Sequence, residues 1–322
     1  MRIVVALGGN ALLQRGQRPD AEAQEANVKR AVAALAPLAA EHELVVTHGN
    51  GPQVGVLALQ SASDPNLTTP YPFDVLGAQT QGMIGYWLLQ AMQNQLPGRQ
   101  VAAIINQTLV EAADPAFDNP TKFVGEMYTH DEAMRLAAER GWVVKPDGDG
   151  WRRVVGSPRP QRVVETRLIR LLLESGAVVV CAGGGGVPVI RDERGELCGV
   201  EAVVDKDLTS SVLAEALDAD VLLVVTDVPH VMRDFGGPDE APILRETPAG
   251  LRNLDFASGS MGPKVDAVCR FVELTGGMAA IGSLDDATEI LAGRRGTIVT
   301  PSGHYDGPAT AVSRHQLSVA AS

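Results

Sequence analysis

Glycine-rich loops occur in this sequence at places where a polypeptide could bind an anion. Three of them directly follow apolar runs that predict strands: Gly8-Gly9-Asn10, residues 48–52 and residues 183–186; a fourth, residues 259–264, precedes a predicted helix. Glycine lets backbone N–H groups approach an anion closely, and the N-terminus of a following helix adds a favourable dipole. A glycine after a strand is often only a turn, but an ordinary turn does not need four in a row. We therefore predict that these loops bind an anionic group.

The lysines of the chain are few, and their neighbours distinguish three of them. Of the 27 basic residues, 22 are arginine and five are lysine. Where arginine serves as the ordinary surface cation, a retained lysine can be required as a compact, mobile charge that arginine does not mimic. Lys206 lies between two aspartates at a predicted helix start, Lys264 ends the fourth loop, and Lys122 lies in an irregular segment.

The run Asp205-Lys206-Asp207 has two interpretations. In the structural one, an aspartate caps the helix and the lysine forms a solvated ion pair. In the functional one, Asp207 holds two lysines around a phosphoryl group and offsets their mutual repulsion. Phosphoryl transfer needs in-line placement, neutralised oxygens and a metal on the nucleotide more than it needs covalent chemistry. Lysines and helix N-termini supply that kind of charge.

Composition and motifs exclude several classes of protein. The formal net charge of −12 argues against a nucleic-acid surface, although a few local cations can dominate a cleft for small anions. No stretch reaches the about 18 apolar residues of a membrane helix. The three cysteines have no paired spacing, so we expect a reducing, cytoplasmic location. The fourth loop is not a Walker A motif because Val265 follows its lysine, and the loop at 183–186 does not complete GxGxxG.

The histidines give no metal-binding pattern. None of the six lies in an HExxH motif, and no GxSxG nucleophile motif occurs. His48, beside the second loop, could be a general acid or base, or a structural histidine bonded to the backbone.

Short apolar runs alternate with longer, alanine-rich helical patterns. The predicted strands are residues 3–7, 44–47, 101–105, 177–181, 221–225, 278–281 and 297–299; the predicted helices are residues 20–42, 77–94, 131–140, 166–175, 206–217 and 264–275. This alternation predicts a mostly parallel sheet covered on both faces, and the continuous Val/Ile runs are typical of strands buried on both faces. We expect the first helix to kink or break near Pro37.

Residues 112–161 interrupt this alternation. They contain five prolines and a turn at 146–150 that lies between WVVK and WRRVV, which predicts a β-hairpin. We interpret the segment as a small excursion or lid, and a lysine on a lid can complete a site when the lid closes. The residues after Pro301 lack clear periodicity and are predicted to form a poorly ordered extension.

Seven motifs, in order along the chain, resemble those of the carbamate kinase family of the amino-acid kinase superfamily. They are VVALGGNAL, THGNGPQVG, FDVLGAQTQGMIGY, NPTK followed by VG, AGGGGVPV, EAVVDKDLTSS and GSMGPKV. The resemblance covers roughly residues 2–300, and seven motifs together are far more specific than any one of them.

The resemblance implies an α/β fold, a three-layer αβα sandwich with a central, mostly parallel eight-stranded sheet and a small protruding subdomain at 112–161. It implies an N-terminal lobe, residues 1–212, for carbamate or carbamoyl phosphate, a C-terminal nucleotide-binding lobe, residues 213–301, and a homodimer. We predict that residues 302–322 form a flexible tail. The implied reaction is ATP + carbamate ⇌ ADP + carbamoyl phosphate, used to make ATP in arginine or related nitrogen catabolism. Mg²⁺ would arrive with the ATP or ADP, with no protein metal site, no nucleic acid and no membrane as partner.

The resemblance also assigns site residues in three groups. The catalytic group is Lys122, Lys206, Asp207 and Lys264. The group that binds the substrate and the phosphoryl group is Gly8, Gly9, Asn10, Gly49, Asn50, Gly51, Gly184 and Gly185. The nucleotide-binding group is Asp205, Thr226, Asp227, Val228, Met261 and Gly262.

Three other functions compete with this one. Another amino-acid kinase, such as an acetylglutamate or uridylate kinase, would need a larger acceptor pocket, and the GNGPQVG and NPTK motifs point away from it. A nucleotide sensor of the same fold that binds without turnover would be expected to lack one of Lys122, Lys206 and Asp207, yet all three are present. A Rossmann dehydrogenase would need the glycine fingerprint that the third loop does not complete.

Overall fold

The computed structural model of the protein describes residues 1–14, 16–256, 261–305 and 307. Two residues of the fourth glycine loop, 259 and 260, and most of the predicted tail lie outside the described residues. In the described ranges, no helix combines the length and apolar character needed to cross a bilayer.

The described part of the chain alternates strands and helices. Its strands are β1 (Arg2–Leu7), β2 (Glu43–His48), β3 (Val101–Ala103), β4 (Gln107–Val110), β5 (Lys122–Tyr128), β6 (Val143–Asp147), β7 (Gly150–Val155), β8 (Pro160–Val163), β9 (Val178–Val180), β10 (Val187–Arg191), β11 (Leu197–Gly199), β12 (Val221–Thr226), β13 (Val231–Arg233), β14 (Ala241–Ile243), β15 (Arg245–Glu246), β16 (Met278–Ser283) and β17 (Thr297–Val299). Its helices are α1 (Ala21–Glu41), α2 (Gly51–Ser63), α3 (Phe73–Gln95), α4 (His130–Arg140), α5 (Thr166–Glu174), α6 (Lys206–Ala216), α7 (Pro248–Arg252), α8 (Met261–Thr275) and α9 (Ala287–Leu291).

An eight-stranded sheet forms the centre of the molecule. Its strand order is β15-β17-β16-β12-β1-β2-β9-β3, and its pairs are parallel except for β16 with β17. Strand β1 is fully buried between β12 and β2, which explains its unbroken apolar sequence. The predicted mostly parallel eight-stranded sheet is confirmed. Each of its strands except the two-residue β15 was predicted.

Helices cover both faces of this sheet. On one face α1, α3 and α9 pack side chains such as Leu35, Ile84 and Ile290 against the alternate residues Ile3, Val5 and Leu7 of β1. On the other face α5, α6 and α8 pack against Val4 and Ala6. The strand therefore divides its side chains between two apolar layers with a period of two. This confirms the predicted three-layer αβα arrangement.

The structure differs from the prediction at two places, since a break at Pro37 is absent and helix α2 was not predicted. Helix α1 continues through Pro37 to Glu41 without a break. Leu35, Leu38 and Ala39 are buried against the sheet, and this packing holds the last turn despite the missing backbone donor. The residues after Asn50, which the sequence indicated only as a loop, form helix α2 with Pro52 in its first turn.

The irregular segment forms a separate small sheet with the order β5-β7-β6. Strands β6 and β7 pair antiparallel from Val143 with Val154 to Asp147 with Gly150, which confirms the predicted hairpin. Helix α4 begins with a capping box between Thr129 and Glu132 and packs against this sheet. A four-stranded sheet has the order β11-β10-β4-β8, and its strands β4 and β8 precede and follow the small sheet along the chain. The lobe boundaries remain predictions.

The first residues after Pro301 pack against the core. The Tyr305 ring is buried, and its hydroxyl donates to Leu291 O at 2.9 Å. The remainder of the predicted tail, from residue 308 onward, lies outside the described residues.

We expect Phe271→Ala to lower the free energy of unfolding by about 3–5 kcal/mol, because this fully buried ring fills the layer between α8 and the sheet. Leu274→Ala, on the same helix at 55% exposure, should change it by no more than about 0.5 kcal/mol. Urea unfolding followed by circular dichroism measures both. Equal losses for the two variants would contradict the packing described.

Candidate active site

The first two glycine loops lie side by side at the carboxyl edge of the central sheet. Strands β12, β1 and β2 are parallel neighbours, so the loops that follow them emerge together. Gly8 N donates to Val225 O at 2.9 Å, and Gly49 N donates to Leu7 O at 3.0 Å. A side chain on Gly49 would place its Cβ 3.1 Å from Gly9 N. The two loops therefore touch through backbone at Gly49 and Gly9, and a side chain on Gly49 would require its neighbour to shift.

The third loop packs against the second. Gly184, Gly185 and Gly186 all have positive φ, between 63° and 90°. A Cβ on Gly184 would lie 2.2 Å from Asn50 Nδ2, and one on Gly185 would lie 2.5 Å from Val204 O. Both the conformation and the close approach require glycine here. The glycines of the third loop thus allow this loop to pack directly against Asn50 of the second loop.

Three residues that the sequence interpretation missed hold this third loop. Asn106 Oδ1 accepts a hydrogen bond from Ala182 N at 2.6 Å, and Thr108 Oγ1 donates to Gly185 O at 2.7 Å. Gln81 bonds both backbone groups of Asn106, at 3.0 and 3.2 Å. Ala182 has a φ of 51°, which is unfavourable for a residue with a side chain, so the Asn106 bond stabilises a strained position. The available signal was a polar Asn directly after the apolar run 101–105.

The predicted cluster of lysines and aspartate is present in the structure. Lys206 Nζ donates to Asp207 Oδ1 at 2.5 Å, and Lys264 Nζ donates to Asp207 Oδ2 at 2.9 Å. Asp207 is 3% exposed and lies in the first turn of α6, whereas Lys264 lies in the first turn of α8. One carboxylate thus holds two ammonium groups beside the glycine loops, and the Lys206 Cε lies within 3.6 Å of the Cβ position of Gly49.

Charge and burial oppose each other in this cluster. Burial raises the pKa of Asp207, but the charges and hydrogen bonds of Lys206 and Lys264 outweigh it and lower that pKa to about 2. Burial, together with the neighbouring charge of Lys264, lowers the pKa of Lys206 against the opposing effect of Asp207. Burial also acts on Lys264, yet Asp207, Asp205 and Asp227 together raise the pKa of Lys264. We infer that Asp207 is ionised at neutral pH.

Asp205 connects α6 to Lys122. Its Oδ1 accepts from the backbone N–H groups of Asp207 and Leu208, at 2.9 and 3.3 Å, and so caps the helix. Its Oδ2 accepts from Lys122 Nζ at 2.9 Å. Lys122 begins strand β5 of the small sheet. The carboxylate of Asp205 therefore does two things: it caps α6, and it binds Lys122.

Of the predicted nucleotide-binding residues, Asp205 lies with the lysines, whereas Thr226, Asp227 and Val228 lie at the end of β12, next to the first loop. Asn10 Nδ2 donates to Asp227 Oδ2 at 2.8 Å, which ties the first loop to the residues after β12. Thr226 ends β12, and Asp227 is exposed. Met261 and Gly262 begin α8, and Met261 packs against the apolar layer beneath it. These residues border the lysine cluster through Lys264.

His48 is a buried neutral imidazole. Burial lowers the pKa of His48 to about 4, with a smaller contribution from the charge of Lys206, against a hydrogen bond to Gly49 O. Its Nδ1 lies 2.9 Å from Gly49 O, so the neutral ring donates there from Nδ1. His48 therefore orients the second loop, which favours the structural interpretation over acid–base chemistry. In the described ranges no group of three or more His, Cys, Asp or Glu side chains is arranged to hold a metal ion.

Comparison with known proteins places the chain in a family. The model of the amino acid kinase family matches residues 1–281. A carbamate kinase of Rhizobium meliloti is 52% identical over 307 residues, 94% of each chain, and one of Haemophilus influenzae is 51% identical over 301 residues, 93% of this chain and 97% of that protein. The structure of carbamate kinase from Giardia lamblia bound to AMP-PNP has a TM-score of 0.85 and 40% identity, and the match covers 93% of this chain and 98% of that one.

The chain belongs to the amino acid kinase family. The resemblance to carbamate kinases that the seven motifs indicated is confirmed.

We expect stability to fall as the pH decreases from about 6.5 to about 4, in part because of His48. In that window the unfolded chain binds a proton on this residue that the folded chain excludes, so protonation favours unfolding. His48→Asn should flatten the slope of unfolding free energy against pH. Urea midpoints at several pH values across that window measure the slope. An identical slope in both proteins would contradict a buried neutral His48.

Proposed function

We propose that this protein is a carbamate kinase that transfers a phosphoryl group reversibly between ATP and carbamate. The main support is the pair of ammonium groups on the buried carboxylate of Asp207, at the edge where the glycine loops meet. The resemblance of nearly the whole chain to carbamate kinases supports the choice of substrate.

The lysine cluster stabilises the transferring phosphoryl group. In phosphoryl transfer, negative charge is spread over the three equatorial oxygens, and fixed positive groups stabilise it without reorganising. Lys206 and Lys264 supply those charges. Asp207 keeps the two ammonium groups close despite their repulsion, so the charge is in position before the substrate arrives. On the same edge, the backbone N–H of Gly9 and the second N–H of the Asn10 amide are donors for the phosphoryl group, and Gly8, whose own N–H donates to Val225 O, positions them.

The carbamate end of the substrate lies at the second loop. Gly49, Asn50 and Gly51 lead into the N-terminus of the 13-residue helix α2, where free N–H groups and the helix dipole favour an anion. The Asn50 amide is held by its bond to Thr80 Oγ1 at 2.8 Å. Gly184 and Gly185 contribute indirectly, because they allow the third loop to pack against Asn50 and Val204.

The nucleotide lies towards Thr226, Asp227, Val228, Met261 and Gly262, with magnesium carried on its phosphates. Asp205 and Asp207 are suited to lysines rather than to a metal, because their oxygens already accept from Lys122, Lys206, Lys264 and backbone N–H groups. The magnesium ion is therefore part of the substrate, and these side chains bind the phosphoryl group that it accompanies.

Formation of ATP from carbamoyl phosphate and Mg-ADP, coupled to hexokinase, tests the proposal. The wild type should form ATP, and Lys206→Ala should lower turnover about 100-fold or more through loss of one preorganised charge. Lys29→Ala, an exposed lysine on α1, should keep the wild-type rate. Asp207→Asn should reduce turnover while far-UV circular dichroism stays native.

Two results would overturn this proposal. Folded wild type that binds ADP but forms no ATP would instead indicate a nucleotide sensor or another substrate of the family. Equal rates for Lys206→Ala and Lys29→Ala would remove Lys206 from the mechanism.

We further propose a homodimer that forms at the β3 end of the central sheet, and a cytoplasmic location. Strand β3 ends the described sheet, and Ile105 just beyond it is 58% exposed. Leu168 and Leu171, three residues apart on α5, are 47% and 55% exposed. An apolar sheet end of this kind is suited to a second copy of the chain. The free cysteines fit a reducing compartment.

Light scattering after size exclusion should give twice the chain mass of 33.9 kDa for the wild type. Ile105→Glu should give the monomer mass, because a charge replaces the exposed apolar side chain at the interface. Phe235→Glu should remain dimeric, because Phe235 is 82% exposed in the turn between β13 and β14, away from the proposed interface. A monomeric wild type, or a dimeric Ile105→Glu, would contradict this interface.

A further inference from the structure

Lys122 reaches the site from the small sheet, which we call the arm and define as residues 122–155. The other three members of the proposed catalytic group lie in α6 and α8, which pack on the central sheet. The position of the arm therefore sets where the Lys122 ammonium group lies. Contacts that cross from the arm to the remainder of the molecule, called the body below, decide that position.

Among the described residues, two side chains in the middle of the arm make a polar contact of this kind. Lys145 Nζ donates to Asn119 Oδ1 at 3.2 Å, which reaches only the segment just before the arm, whereas Arg153 reaches Glu201. Arg153 lies on β7, the central strand of the arm, two residues before Val155, which pairs with Lys122. Its Nη2 donates to Glu201 Oε1 at 2.8 Å, and Glu201 Oε2 accepts from Phe73 N at 2.8 Å. A single carboxylate therefore joins the central strand of the arm to the first residue of α3.

The Arg153 guanidinium also lies between two aromatic rings. Its Cζ is 4.8 Å from the centroid of Phe73 in the body and 4.7 Å from that of Trp142 in the arm. The side chain is 19% exposed. Burial lowers the pKa of Arg153 and Glu201 raises it, and an arginine remains charged in such a site. A planar guanidinium can stack on the ring of the body and the ring of the arm at the same time. An ammonium group stacks on aromatic rings less well.

The apolar contact beneath this cation is small. Val124 and Val155 of the arm pack with Val54, Phe73 and Leu76 of the body. Next to it, a Cβ on Gly55 of α2 would lie 3.3 Å from Gly125 Cα, so helix and strand touch through backbone. Helix α2 is the helix whose N-terminus faces the proposed carbamate position. The arm thus packs against α2, the helix whose N-terminus is proposed to bind the substrate.

We propose that Arg153 is a positioning residue that, through Glu201 and Phe73, fixes the arm on the body so that Lys122 lies over the reacting groups. This inference rests on the proposed kinase function and on the catalytic role that the resemblance assigns to Lys122. Arg153 does not itself contact the substrate in this proposal. Its effect on turnover passes through Lys122, and this dependence separates it from a residue that only stabilises the fold.

Arg152, the preceding residue, supplies a matched control. Its Nη1 donates to Asp147 Oδ2 at 2.9 Å, its Nη2 donates to Gly125 O at 3.1 Å, and it lies over the Phe123 ring. All three partners belong to the arm. Loss of this arginine disturbs the interior of the arm, whereas loss of Arg153 releases the arm from the body.

A double-mutant cycle with Lys122 tests the proposal. Arg153→Ala should lower kcat about 10- to 100-fold, as expected for a misplaced catalytic group, with little change in the KM for ADP. Arg153→Lys should not restore the rate. In a Lys122→Ala background, Arg153→Ala should change kcat less than about twofold, because the two residues act as a unit. Arg152→Ala should leave kcat within about threefold of wild type.

A second measurement does not depend on catalysis. Acetic anhydride should acetylate Lys122 several times faster in Arg153→Ala than in wild type, because its Asp205 contact is lost, while exposed Lys29 should react at an unchanged rate. Glu201→Gln, which keeps the size of the side chain, should give a smaller rise and serves if Arg153→Ala folds poorly. Mass spectrometry of peptides reports each lysine separately.

The outcomes separate this proposal from the function on which it rests. A wild type that forms no ATP would refute the kinase function, and the acetylation rates would still test the contact. Full turnover in Lys122→Ala would refute the role of Lys122, and the positioning proposal with it. Losses in Arg153→Ala and Lys122→Ala that multiply in the double variant, or unchanged Lys122 acetylation, would overturn the positioning role.

Discussion

The structure of this site depends on the buried carboxylate of Asp207 and the two lysines that it binds. Burial disfavours the charged forms of both Asp207 and Lys206. The two lysines lower the pKa of Asp207, and Asp207 opposes the effects of burial and of Lys264 on the pKa of Lys206. Removal of one partner would leave an uncompensated charge at a buried position. Asp207 and Lys264 belong to different helices, so their ion pair forms only because α6 packs against α8.

The central sheet makes this arrangement possible. Parallel pairing of β12, β1 and β2 brings three chain segments that are distant in sequence to one edge within hydrogen-bonding distance. Glycine then allows these segments to touch, as the approach of Gly49 to Gly9 shows. The same edge receives the N-termini of α2 and α6, whose dipoles favour an anion. An acidic protein thereby presents a local positive site, which its net charge of −12 would not suggest.

Much of this could be predicted from the sequence because the signals were local. The apolar run before Gly8 predicted β1. Asp205-Lys206-Asp207 allowed two interpretations, a helix cap or a charge cluster, and the structure contains both. The break expected at Pro37 did not occur, because tertiary packing outweighs local propensity in a helix with a buried face. Asn106 and Arg153 could not be assigned from the sequence, since their partners, Ala182 and Glu201, are 76 and 48 residues away. A long-range contact has no periodic pattern along the chain.

Asp205 links Lys122 of the arm to the lysine cluster on Asp207. Its Oδ1 fixes the first turn of α6, where Lys206 and Asp207 begin, and its Oδ2 binds Lys122 from the arm. Lys122, Lys206 and Lys264 are held in place by the carboxylates of Asp205 and Asp207 before any phosphate arrives. These three lysines and two aspartates together have a formal charge of +1, which still favours an anion. A phosphoryl oxygen then meets ammonium groups whose positions are already fixed, and little of its binding energy is needed to order them. A change that moves the arm disturbs one side of Asp205 and leaves the other in place, so the geometry allows Lys122 to be lost without loss of the cluster on Asp207.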